Sequence, residues 1–361
     1  MNRLAEVFPF RYVTCVLLFI GIISPVAFAI DEQIKPIETT MAYELFTIER
    51  SVRQVPVDSE KLLRSALDDA TKMAANTARY PGTRDQALVA LEAIQLALVK
   101  HNFLQPPEEK DWPQTLGIAL TPRTFSDSEL KAILSFPDNA KRKAHLDLTK
   151  PFYFVDCDMG SQFFLAVGER LGWDIRLVEL PQHNFVRWHL SDSLKVNWDW
   201  VHGQSIGDDV YLPQVSPSLD IRYGTLYMRS LEPREARAYY LGLIGSEAAS
   251  GSDAERLLAE AVAVLPNHPL TLNNLAWLYA TNPVLAKSKS DLAVRYSLAA
   301  WSTRPNYGNF ADTVACSLAA NGNKALAIKI EEFAIEHPNN PRQQESFRKN
   351  LARITAGELC Q

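Results

Sequence analysis

Cys157, His183 and a polar side chain at position 197 or 199 are the residues whose types and order could do chemistry. A thiol acts as a nucleophile when it can ionise, when a base takes or holds its proton, and when a third group orients that base. The first turn of a helix favours negative charge there, through the macrodipole and the free N–H groups. Cys157 follows an extended run at 152–155, and Asp156 is placed to cap the helix that follows. The same free N–H groups could hold an oxyanion during acyl transfer. His183 stands just before a strand-like run, so its ring can project from a sheet end as the base. Asn197 or Asp199 on the next run would orient it. The two share strand parity and could both face one side. Since a neutral amide can fix an imidazole tautomer, the reading leans slightly to Asn197. The carboxylates of Asp156 and Asp158 oppose ionisation of Cys157, and a protonated His183 would restore it.

These side chains need elements to hold them. Residues 41–103 read as helices: apolar residues recur at helical spacing over 59–78, with Pro81 and Gly82 as a stop, and again over 84–99. Residues 104–150 are punctuated by prolines, with a capping-box pattern from Ser126 to Glu129. Residues 156–172 read as a helix that stops at Gly172. The period then changes to two over 175–180, 184–190 and 194–200, as in short strands. Trp188, Trp198 and Trp200 read as sheet packing, with parity that could also bring some to a substrate cleft. A helix followed by consecutive strands gives an α+β unit with an antiparallel sheet. From Arg234 onward, small residues and prolines recur in register. Ala254, Ala261 and Pro266 form one set, Ala293, Ala300 and Pro305 a second, and Ala327, Ala334 and Pro338 a third. The second copy carries extra residues between its helices, within 283–290.

The run Cys157-Asp-Met-Gly-Ser-Gln-Phe-Phe-Leu-Ala166, then Leu171 and Gly172, then Arg176 and Val178, resembles the core of the transglutaminase-like superfamily. There the active cysteine opens a helix ending in a Leu-Gly pair, and a strand with an Arg-x-Val pattern follows. The next element, a histidine before an aromatic and apolar strand, is similar to 183–188. The third position reads Val196-Asn-Trp-Asp199 rather than Asp-Pro, which leaves Asn197 and Asp199 both open. The resemblance implies a papain-like fold and acyl transfer on amides, as protease, amidase or cross-linking enzyme. The family also contains inactive members. The C-terminal pattern resembles the tetratricopeptide repeat, an α-solenoid unit of about 34 residues, which implies a protein or peptide partner.

The remaining features set bounds. With 361 residues, 47% hydrophobic and 22% charged, a sizeable core is available. The net charge of -5 gives no footprint for nucleic acid. Arg3 and Arg11, the apolar run 13–23 and the small residues Ala27 and Ala29 read as an export signal cut near Ala29. A periplasmic or secreted chain without stable membrane insertion follows. Of the cysteines beyond Cys15, Cys316–Cys360 is the one pairing considered, with Cys316 at a packed helix position, and Cys157 is left unpaired. His202, Asp208 and Asp209 match no standard metal-ligand spacing, and no phosphate loop or dinucleotide fingerprint occurs. No metal or cofactor is expected. The organisation read from the sequence is a signal at 1–29, helices at 30–104, the cysteine domain at 105–225 with its core at 150–213, repeats at 230–350 and a tail at 351–361. The function expected is that of a thiol enzyme acting on amides. The alternative is an inactive cysteine domain carried by a binding scaffold.

Overall fold

Thr40, Thr83, Ser126 and Asp156 each accept a hydrogen bond from the main-chain N–H three residues on, and each begins a helix. Such caps satisfy amide groups that a helix start would otherwise leave orphaned. In the computed structural model, which describes residues 34–77, 80–108, 111–215 and 227–361, the first part of the chain forms six helices of six residues or more, and the first three pack against the sixth. In chain order they are α1 (Met41–Val52), α2 (Ser59–Thr77), α3 (Arg84–Lys100), α4 (Asp127–Ile133), α5 (Pro137–Arg142) and α6 (Cys157–Leu171). The expected helices over 59–78 and 84–99 and the capping box at Ser126 are all present. The proposed signal at 1–29 lies outside the described residues.

α6 is the axis of this part of the chain. Gly172 ends it in the left-handed conformation, φ 71°, which only glycine adopts without strain. Its flanks are tied to the N-terminal helices. Arg170 donates to Thr71 and pairs with Asp68 on α2, and Glu169 accepts from the N–H of Met41 at the start of α1. Residues 35–361 accordingly form one compact unit, in which α1–α3 pack against α6.

Two sheets complete the layer. β1 (Phe103–Leu104) pairs in parallel with β2 (Tyr153–Phe154), which delivers the chain to Cys157. β3 (Ile175–Leu180), β4 (His183–His189) and β5 (Lys195–Trp198) form an antiparallel meander against which α6 packs. The period-two reading located all three strands to within two residues at each end. Trp188, Trp198 and Trp200 are buried at 2%, 4% and 1% exposure, and they pack rather than line the cleft at Cys157.

The C-terminal part is a stack of helical hairpins: α7 (Pro233–Ser246) with α8 (Gly251–Val264), α9 (Pro269–Thr281) with α10 (Leu285–Thr303), and α11 (Gly308–Ala320) with α12 (Lys324–Glu336). α13 (Pro341–Ala356) closes it. Ala261, Ala293, Ala300, Ala327 and Ala334 are fully buried, as close helix approach requires. Part of the extra segment at 283–290 is wound into the start of α10, which runs 19 residues. The expected division at 350 falls inside α13, because the helix continues to Gly357, its left-handed cap. The residues beyond are fastened as well. Cys360 is disulfide-bonded to Cys316, and Arg353 donates to the carbonyl of Leu359. Cys360→Ser should therefore cost about 2–4 kcal/mol, the usual worth of a bridge. Urea titration followed by circular dichroism would show it as a lower midpoint, which reduction of the parent protein should reproduce.

Candidate active site

The cap at Asp156 and the turn between β3 and β4 bring the chemistry together. Asp156 accepts the N–H of Met159 at 3.1 Å, so Cys157 opens α6 with its thiol at the positive end of the helix. β4 begins at His183, after Gln182 at the positive φ of 66°. The next residue, Asn184, clamps the strand onto the first turn of α6. Its Nδ2 donates to the Asp158 carboxylate, and its Oδ1 accepts from Ser161 at 2.7 Å. Its main-chain N–H favours the ionised form of Cys157, in opposition to the acidic neighbours. His183 is thus next in sequence to a residue fastened to the helix that Cys157 opens.

The side chain bonded to the His183 ring is Asp199. Its Oδ2 lies 2.8 Å from His183 Nε2 and 2.5 Å from the Tyr211 hydroxyl that donates to it, while Oδ1 accepts the N–H of His202 at 3.2 Å. Nε2 carries the proton that faces the carboxylate, which leaves Nδ1 as the ring's acceptor nitrogen. Asn197, the slightly preferred residue, is not at this position. It accepts from Arg187 Nε at 2.8 Å and donates to Asp208 and to the carbonyl of Ile206. The cause is register: Asn197 stands opposite Arg187, four residues along β4 from His183, or about 13 Å at strand rise. Parity was read correctly; the distance along the strand is set by pairing. Of the other residues considered, His202 faces Asp138 at 3.4 Å and Asp208 pairs with Arg187, so they do not form a cluster.

The charges around the thiol oppose its ionisation. Cys157 is pushed well above the ordinary thiol value, first by burial, then by Asp158 and Asp156, against the favourable Asn184 N–H. Asp158 is itself raised by burial, although Tyr239 donates to it at 2.5 Å and Asn184 adds a second bond. For Asp199, burial raises the carboxyl, but the bond and charge of His183 and the Tyr211 hydroxyl outweigh it and hold it below its ordinary value. One cleft thus holds a thiol whose ionisation burial and two acidic neighbours oppose, and an imidazole bonded to a carboxylate held below its ordinary value.

Cys157 and His183 open into a cleft of about 280 Å³. Trp112 and Gln182 line it from the cysteine part, and Leu270, Arg304, Tyr307 and Phe310 from the helical stack. Arg304 donates to Gln182 at 3.2 Å and Glu179 accepts from His268 at 2.8 Å, so the stack is bonded to the rim it forms.

Nothing among protein-family models, curated proteins or solved structures matches this chain.

Tyr211, Asn184 and Tyr239 complete the site and were not read from the sequence. Asn184 had a signal, its position next to the candidate base. Tyr211 and Tyr239 had none, since each reaches the site from a distant segment. Elsewhere, Asp312, Cys316 and Glu331 are the one trio of possible ligand groups that converges among the described residues. The Cys316 sulfur is engaged in the disulfide, and burial raises the carboxyls of both Asp312 and Glu331. No helix among the described residues is long and apolar enough to cross a membrane.

Proposed function

We propose that this chain is an exported thiol enzyme of transglutaminase-like type, acting on amides through an acyl-Cys157 intermediate, periplasmic or secreted. The observation that carries the reading is the Asp199–His183 bond at 2.8 Å, set in one cleft with a cysteine at a helix N-terminus. His183 Nδ1 takes the thiol proton as sulfur attacks the amide carbon. The oxyanion gathers near the free N–H groups of α6, and His183 returns the proton to the leaving amine. Water or an amine then releases the acyl group. The helical stack, read as tetratricopeptide-like repeats, supplies one wall of the cleft and with it contacts to a protein or peptide substrate. Because the thiol is neutral at rest, His183 serves as a general base rather than as half of a standing ion pair.

A second reading is favoured by the same two carboxylates. Asp156 and Asp158 beside Cys157 suit an inactive domain on a binding scaffold. The deciding experiment follows iodoacetamide alkylation of Cys157 against pH in the parent, His183→Ala and Asp158→Asn. On the enzyme reading, His183→Ala slows alkylation near neutral pH. Asp158→Asn keeps the acceptor for Tyr239 and Asn184 but removes a charge that raises the thiol, so its profile moves to lower pH. Superimposable profiles for the parent and His183→Ala would leave only the scaffold.

A further inference from the structure

A second cleft, of about 410 Å³, shares no lining residue with the Cys157 cleft. One wall is apolar: Met73 from α2, and Val89, Ala93, Leu96 and Val99 from α3. The opposite wall carries Lys141, Arg142, His145 and His202. The volume falls within the usual range for small-molecule sites, roughly 300–1,000 Å³.

Arg142 is the unusual member. It is only 4% exposed, and it stacks over the Trp200 ring at 4.2 Å. Its Nη2 donates to the carbonyls of Trp200 at 2.6 Å and Val201 at 3.1 Å. Its Nη1 has no hydrogen-bond partner among the described residues. No carboxylate forms an ion pair with it there. Asp138 is answered by Lys141 and His202, Asp199 is spent on His183 and Tyr211, and Glu92 stands on the exposed rim of the cleft. A buried cation with an unfilled donor is costly unless something pairs with it.

We propose that this cleft binds an amphipathic carboxylate. Its chain lies along the α2 and α3 wall, and its head group pairs with Lys141 and the Arg142 guanidinium on the opposite wall. A carboxylate suits the position better than a phosphate monoester, because Glu92 and Asp138 on the same lining would repel a second negative charge. The site is separate from Cys157 and stands whether or not that thiol is catalytic.

The test is calorimetric titration of the full chain with dodecanoate below its micelle concentration, set against dodecanol, acetate and dodecyl phosphate. Dodecanoate is expected to bind the parent, and dodecanol and acetate each at least about tenfold more weakly, the worth of one charge-assisted bond or of the buried chain. Val89 is half-exposed on the apolar wall, so Val89→Glu should fold normally and weaken dodecanoate by a similar factor. Arg142→Gln should remove the preference for dodecanoate over dodecanol. Failure of dodecanoate to bind, equal binding of dodecanol, or an unchanged Val89→Glu titration would overturn the proposal. Tighter binding of dodecyl phosphate would overturn the choice of head group.

Discussion

Asp199→Asn is expected to lower the acylation of Cys157 by about 10³–10⁴-fold while leaving the fold in place, as loss of a base-orienting carboxylate does in triad enzymes. The carboxylate is 1% exposed and accepts three donors: His183 Nε2–H, the Tyr211 hydroxyl and the N–H of His202. An amide of the same shape can keep some of these bonds. It can also turn its NH2 toward His183, which then must accept at Nε2 and carry its proton at Nδ1. The imidazole would face the thiol with a donor where a base is required. Acylation by a p-nitrophenyl ester under single-turnover conditions measures the effect directly. The pH behaviour carries a sign. Asp199 is held below its ordinary value in the fold, so its stabilising charge is present above the unfolded carboxylate value and is lost only as pH falls through the lowered one. Mildly acidic conditions should not reproduce the variant. Asn197→Ala, at a residue bonded to Arg187 and Asp208, should acylate nearly as fast as the parent. Equal losses in the two variants would remove Asp199 from its assigned role.

That contrast also marks what local sequence could and could not convey. Helix ends were legible because capping is local: Asp156 and Gly172 bracket α6 by side-chain and backbone preferences that act within a few residues. The strands were legible through their period. The choice between Asn197 and Asp199 was not, because both have the same parity. The selection depends on which residue of β4 each one faces, a property of pairing between strands. Tyr211, reaching Asp199 from a separate turn at Asp208–Tyr211, has no pattern that announces it. The same holds for the wall that the helical stack gives the Cys157 cleft. Arg304 lies 122 positions from the Gln182 it touches, and only the packed chain relates them. The acidic neighbours of Cys157 were visible in the sequence, but the bonds from Asn184 and Tyr239 that hold Asp158 in place were not.

Gly160→Ala should destabilise the protein by about 2–3 kcal/mol, although helix propensity alone favours alanine by about 1 kcal/mol. Gly160 lies in the first turns of α6 with Trp200 pressed onto it. A Cβ there would stand 2.7 Å from the Trp200 Cβ and closer still to the ring. The indole has no room to retreat. It is 1% exposed, its Nε1 donates to the carbonyl of Val155 at 2.8 Å, and Arg142 covers its face. Its carbonyl accepts from Arg142 and from Gln95 at 3.2 Å. Overpacking a site held this firmly outweighs the propensity gain. For a chain of this size the melting temperature should fall by roughly 2–4 °C per kcal/mol. The functional consequence is larger than the stability loss. Relief requires α6, which carries Cys157, or the segment after β5, which carries Asp199, to move against the other. The alkylation profile of Gly160→Ala should therefore lose its dependence on His183. Gly168→Ala is the milder comparison within the same helix: the nearest atoms to its Cβ would be those of the Ile175 side chain, at 3.0–3.2 Å, against 2.7 Å or less from Trp200 at Gly160. Melting of Gly160→Ala at or above the parent temperature would show that Trp200 does not fix the spacing between the thiol and its base.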